Sequence, residues 1–208
     1  MRAIVPVKRF CSAKQRLAGV RTPVEREQLA RMLAERTLHE ISRAKLVEGV
    51  TVVSAEASLR PLVRDLGFDW LEDAGDGLNA ALAAALDDTV ARGCDDVAIV
   101  HADLPLLQAT ELDRIAALHR AGPTRKMTLV ADRRDDGTNL RFCRPARAVP
   151  PLYGPGSARR HAVFARACGI PVDLVRSPAL SVDCDTPDDL TFLASGAAAP
   201  QPSERAAS

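Results

Sequence analysis

From residue 3 to residue 131, short apolar runs alternate with helix-periodic segments, and this alternation restricts the fold more than any other feature of the chain. Ala3 to Val7, Val50 to Val53, Phe68 to Leu71, Val97 to Val100 and Met127 to Ala131 read as strands. Between them the spacing predicts helices from Pro23 to Lys45, Leu59 to Leu66, Leu78 to about Val90 and Thr110 to Arg120. Leu78, Ala81, Leu82, Ala85, Leu86 and Val90 repeat at i, i+3, i+4 and i+7, and Gly93 stands where such a helix should stop. Thr22 before Pro23 has the chemistry of a helix start. Val97 to Val100 is apolar throughout, as a central parallel strand is. The expected fold is therefore α/β, a single-domain, mostly parallel sheet with helices on both faces.

Beyond residue 131 the pattern weakens. Residues 132–157 are rich in Arg, Asp, Gly and Pro and read as irregular; Ser157 to Gly169 reads as a helix, and Pro171 to Val175 and Leu180 to Val182 as strands. A short helix should follow Asp185-Thr186-Pro187, capped by Asp185 or Thr186. The expected domain covers residues 1–195, and the Ala/Pro/Ser-rich residues 196–208 are expected to be a disordered tail.

Composition excludes some partners. Lys and Arg total 28 against 27 for Asp and Glu, so no global charge draws the chain to nucleic acid or a membrane. Aromatics are 3%, too few for a base-stacking platform. No apolar run approaches the ~20 residues that span a bilayer, and the start lacks a signal-peptide pattern. Five dispersed cysteines form no C-x-x-C pair and read as reduced thiols of a cytoplasmic protein.

Ligands of such sheets lie beyond the carboxyl ends of the strands, and five clusters fall there or near helix starts. Lys8, Arg9, Lys14 and Arg16 crowd the loop after the first strand, where they could embrace a triphosphate. The loop is neither a P-loop nor a dinucleotide fingerprint, and a solvated basic loop would read the same way. Asp103, just past the apolar strand at Val100, is costly to bury unless paired or holding a cation, and suits Mg²⁺. Asp183 and Asp185 alternate on an extended segment, so one of the two should face the site as a second carboxylate. Gly154-Pro155-Gly156-Ser157 opens a helix and could offer N–H groups to an anion, with Ser157 capping the helix or donating to a phosphate. Arg159, Arg160 and His161 would add positive charge there. Asn79, in a first helical turn, could read a base edge or a ribose, or simply face solvent. His39 and His119 lack evident partners and read as structural.

At these residues the chain resembles a known family. Arg2-Ala3-Ile4-Val5-Pro6-Val7-Lys8, Ala13-Lys14-Gln15-Arg16-Leu17, Gly77-Leu78-Asn79, Ala102-Asp103-Leu104-Pro105, Gly137-Thr138-Asn139, Gly154-Pro155-Gly156-Ser157 and Asp183-Cys184-Asp185-Thr186-Pro187 occur in the order seen in the CofC/FbiD guanylyltransferases of coenzyme F-420 biosynthesis. The resemblance implies a nucleotidyltransferase (Rossmann-like, GT-A-like) fold. It implies joining GTP to 2-phospho-L-lactate, phosphoenolpyruvate or 3-phospho-D-glycerate, with release of pyrophosphate. Mg²⁺ would sit on Asp103 and on Asp185 or Asp183. Lys8, Lys14 and Arg16 would act on the triphosphate, Asn79 on the nucleotide, and Thr138, Gly154 and Ser157 on the acid. The product would pass to the transferase that acts on the deazaflavin precursor. A homodimer is among the expected assemblies. Two departures stand out: Ser54-Ala55-Glu56 where the family commonly has an Asp, and Arg133-Arg134-Asp135-Asp136 without a second Gly-Thr. The rival readings are another sugar-phosphate or cofactor nucleotidyltransferase, a metal-dependent glycosyltransferase, or a non-catalytic nucleotide-binding regulator.

Overall fold

A computed structural model describes residues 1–195 of the chain, so the expected tail lies outside the described residues. Seven strands form one sheet: β1 (Arg2–Val7), β2 (Gly49–Ser54), β3 (Asp69–Glu72), β4 (Val97–Val100), β5 (Lys126–Ala131), β6 (Thr138–Arg144) and β7 (Val172–Leu174), in the order β3-β2-β1-β4-β6-β5-β7. All neighbours pair in parallel except β6, which runs antiparallel to both β4 and β5. The helices are α1 (Pro23–Ser42), α2 (Arg60–Asp65), α3 (Leu78–Ala91), α4 (Ala109–Arg120), α5 (Ser157–Ala167) and α6 (Pro187–Ala194).

Strand alternation divides the core into layers. Ala3 and Val5 of β1 and Ala98 and Val100 of β4 face α1, α2 and α4, where Leu38, Ile41, Val63, Leu112 and Ile115 meet them. Ile4 and Ile99 point the other way, onto Leu82, Ala85 and Leu86 of α3. Met127 and Leu129 of β5 meet Ala162 and Ala165 of α5 on that second face. Helices thus cover both faces, as the apolar strands require. Thr22 caps α1 through a reciprocal pair with Glu25, and Thr186 caps α6 in the same way with Asp189.

Several sequence expectations are corrected. Residues 132–157 contain a full central strand, β6. Its Arg141 disguises it, because a charged residue argues against a buried strand. Here Arg141 is 1% exposed and donates to the carbonyls of Val149 (2.6 Å) and Pro150 (3.0 Å). Leu180 to Val182 forms no strand: Leu180 and Val182 plug the core from a turn. Ser157 does not cap α5; Gly156 is the N-cap, at φ +70°, where a side chain would strain the backbone. His119 is structural but has partners, with Nδ1 2.9 Å from Thr128 Oγ1 and Nε2 3.5 Å from Asp96.

Candidate active site

The loop after β1 is held by apolar and polar anchors that leave its cations to the site. Phe10 and Leu17 are buried. The Phe10 N–H donates to Glu56 Oε2 at 3.0 Å, and the Arg31 guanidinium lies 4.8 Å over the Phe10 ring. Glu56, a departure from the family pattern, is therefore an anchor of the basic loop. Burial alone would raise its pKa, but hydrogen bonds from Ser58 and Phe10 hold it lowered.

A cavity of about 320 Å³ opens where this loop meets the carboxyl end of β4 and the segment before α6. Lys8, Lys14, Arg16, His101, Asp103 and Asp185 line it. Lys8 and Arg16 make no ion pair among the described residues. Lys14 adopts a left-handed backbone at φ +54° and buries its side chain to 6% exposure. Its Nζ donates to Asp103 Oδ2 and to Asp185 Oδ1, each at 2.7 Å. Burial would lower the Lys14 pKa, yet the two carboxylates hold it well above the usual lysine value. Burial would likewise raise Asp103, but the charges of Lys14 and His101 and the hydrogen bond from Lys14 together bring Asp103 down to about 2.

Asp183 completes an acidic group. Its Oδ1 is buried and accepts no hydrogen bond among the described residues. Burial, then the charges of Asp103, Asp185, Asp189 and Asp132, push its pKa up to about 7. Asp103 and Asp185 thus share one ammonium, and Asp183 stands near them outside that pairing. No three His, Cys, Asp or Glu side chains among the described residues close around one metal-binding point; Asp103 and Asp185 do converge, around the Lys14 ammonium. Hard oxygens aimed at one cation and a further unpartnered carboxylate fit the donor chemistry of Mg²⁺.

Thr138, Gly154 and Ser157 come together beside this cavity but do not line it. His101 joins the two parts: it lines the cavity, and its ring centroid is 5.0 Å from that of Tyr153. Ser157 Oγ, buried, donates to Thr138 Oγ1 at 3.2 Å. The N–H pocket expected at the α5 start is already filled. Gly156 N–H donates to Asp136 Oδ1 (3.0 Å), Ala158 N–H to Asp136 O (3.1 Å) and Ser157 N–H to Gly154 O (3.1 Å). Gly154 itself is exposed at φ +120°, and its N–H has no partner among the described residues.

Two residues, Asn79 and His161, hold the loop around Tyr153. The Asn79 Nδ2 donates to Tyr153 O (3.1 Å) and its Oδ1 accepts from Tyr153 N–H (2.8 Å), which fixes the loop before Gly154. His161 adds no positive charge. Burial, with Arg141 and Arg160 nearby, lowers its pKa to about 3, and its neutral Nε2 accepts the Leu152 N–H at 2.9 Å. Asn139, next to Thr138, is buried and donates to Leu180 O. Arg141, Asn79 and His161 together build the 149–156 loop. Sequence reasoning misses Arg141, for which no local signal exists.

The chain matches the family described as "Guanylyl transferase CofC like" over residues 1–197. The chain belongs to this family. It is 39% identical over 192 residues to a phosphoenolpyruvate guanylyltransferase of Sphaerobacter thermophilus, covering 92% of this chain and 91% of the relative. A second relative of the same name, from Chloroflexus aggregans, is 33% identical over 89% of this chain and 93% of its own. Among solved structures, a putative nucleotide-diphospho-sugar transferase from Desulfovibrio desulfuricans superposes with a TM-score of 0.73 at 16% identity, covering 93% of this chain and 87% of that one. A Methanothermobacter nucleotidyl transferase gives 0.67 at 16% identity, with coverage of 94% and 96%. These two likenesses establish the nucleotidyltransferase fold, and family membership makes the chain a guanylyltransferase.

Proposed function

We propose that the chain joins GTP to phosphoenolpyruvate and releases pyrophosphate, in the cytoplasmic route to coenzyme F-420. A phosphate oxygen of the acid bonds to the α-phosphorus of GTP as the bond to the oxygen bridging the β-phosphate breaks. The attacking oxygen is already anionic, so the site needs no strong general base; it needs alignment and charge neutralisation. Lys8 and Arg16, which make no ion pair among the described residues, meet the triphosphate. Asp103 and Asp185, with Asp183 beside them, would hold Mg²⁺, whose charge would offset that of the reacting phosphates. Gly154 offers its free N–H to the acceptor, and Thr138 and Ser157 shape the wall behind it.

The observation that carries this reading is the convergence of Asp103 and Asp185 on one cation in a basic-lipped cavity at the strand ends. The names of the relatives favour phosphoenolpyruvate over 3-phospho-D-glycerate and 2-phospho-L-lactate. Free cysteines, and the lack of a helix long and apolar enough to cross a membrane among the described residues, agree with a cytoplasmic site. The guanylylated product is then handed to the transferase acting on the deazaflavin precursor, and light scattering decides whether the working form is a homodimer. The test incubates the protein with GTP, MgCl₂ and each acid in turn, following pyrophosphate and the product mass. Pyrophosphate released with sugar phosphates and with none of the acids would refute the assignment. GTP binding without turnover on any acceptor would favour the regulator reading.

A further inference from the structure

Asp189 lies outside the cavity and has so far only a helix-capping role, yet its carboxylate is fully buried and takes six hydrogen bonds. Oδ1 accepts from Arg133 Nε (3.0 Å), Arg133 Nη2 (2.8 Å) and Arg134 Nη2 (3.0 Å). Oδ2 accepts from the backbone N–H of Asp185 (3.0 Å), the backbone N–H of Thr186 (2.7 Å) and Thr186 Oγ1 (2.8 Å). A helix cap explains the Thr186 contacts. It does not explain the grip on Asp185, the residue whose carboxylate faces Lys14 and Asp103, nor two arginines on a buried acid.

Those arginines come from the loop of residues 132–137, which also holds the acceptor end. Asp132 Oδ1 accepts the Arg134 and Asp136 N–H groups, and Asp136 receives the Gly156 and Ala158 N–H groups at the start of α5. One loop therefore grips Asp185 through Asp189 and, through Asp136, the turn after Gly154. Burial would raise the Asp189 pKa, but Arg133 and the Thr186 and Asp185 donors keep it lowered, so it stays ionised against its arginines.

We propose that Asp189 is a positioning residue: clamped by Arg133 and Arg134, it fixes the backbone of Asp185 so that the Asp185 carboxylate is aimed at the divalent cation. The inference rests on Asp185 being a metal ligand. The wider consequence is that the 132–137 loop ties the carboxylate end of the site to the acceptor end.

The experiment measures Mn²⁺ binding by calorimetry, without nucleotide, on protein shown folded by circular dichroism at the assay temperature. Asp189→Ala should weaken Mn²⁺ at least tenfold. Asp189→Asn keeps an oxygen for the Asp185 and Thr186 N–H groups but loses the charge its arginines need, and should weaken binding about two- to fivefold. The double variant Arg133→Gln/Arg134→Gln should match Asp189→Asn. Thr186→Ala removes a cap from α6 while leaving the Asp185 N–H bond, and should lower the melting temperature without changing Mn²⁺ affinity. Wild-type affinity in folded Asp189→Ala overturns the proposal, as does an equal loss in Thr186→Ala, which would mean that any loosening of α6 suffices. If Asp189→Ala does not fold, the arginine double variant decides, and wild-type affinity there overturns it. Asp185→Asn, run in parallel, separates the two layers. Unchanged Mn²⁺ affinity in that variant removes the metal reading and this inference with it. Loss in Asp185→Asn without loss in Asp189→Ala removes only the positioning role.

Discussion

Replacing Lys14 by Met removes the only cation among the described residues that is bonded to Asp103 and Asp185, while keeping most of the side-chain volume. The Lys14 ammonium is the chief reason that Asp103 stands at about 2 rather than 3.8. A depression of that order corresponds to roughly 2–3 kcal/mol of stabilisation at neutral pH, most of it carried by Lys14. The figure is of the right order for a partly buried pair, since removing one partner leaves the other charge uncompensated. At roughly 2–4 °C per kcal/mol for a chain of this size, Lys14→Met should melt about 5–10 °C lower at pH 7.5. The sign with pH follows from the direction of the shift. A depressed carboxylate contributes stability that is present above its unfolded value of 3.8 and lost as pH falls toward 2. The variant lacks that contribution, so its deficit should be largest near neutrality and shrink as pH falls through 4. Because the ammonium occupies the point where Asp103 and Asp185 converge, the variant should also gain more melting temperature from added MgCl₂ than the wild type does. Thermal melts of both proteins at pH 7.5 and pH 4, with and without MgCl₂, read all three effects. A deficit that does not depend on pH, together with equal Mg²⁺ stabilisation of the two proteins, would refute the reasoning and return Lys14 to an ordinary loop lysine.

Three other outcomes are expected. Asp103→Asn and Asp185→Asn should each abolish pyrophosphate release with GTP and phosphoenolpyruvate while the circular dichroism spectrum is retained; turnover at the wild-type rate in either would remove that residue from the metal site. Asn79→Ala breaks two hydrogen bonds to Tyr153, on the order of 1–3 kcal/mol together, and should raise the KM for the acid about tenfold or more with the KM for GTP little changed, as steady-state kinetics would read. His161, with a folded pKa of about 3 against 6.5 unfolded, stays neutral while the unfolded chain takes up a proton. Between pH 6.5 and pH 5 it should therefore cost the fold roughly 2 kcal/mol, and urea unfolding of His161→Gln should show a flatter acid limb than the wild type.

The structure also separates what local chemistry announces from what needs the assembled sheet. Strands β1, β2, β4 and β5 were legible because parallel strands covered on both faces must be apolar along their length. A cap at Asp185 or Thr186 was legible because both precede a proline-led helix start, and the fold gives the position to Thr186. The basic loop and Asp103 were legible as candidates because the sheet topology puts strand ends where ligands bind. Strand β6 was not: its Arg141 is tolerated only because carbonyls of a later loop, at Val149 and Pro150, satisfy the guanidinium. Leu180 to Val182 shows the converse, a strand-like alternation that the chain uses to plug a core from a turn. The roles of side chains within the site were decided still later. Lys14 lies 89 positions from Asp103 and 171 from Asp185, and Asn79 lies 74 from Tyr153. Periodicity reports which face of an element is buried, but the partner of a polar group is chosen only when distant segments meet, because a buried donor or acceptor must be satisfied by whatever the finished fold brings to it.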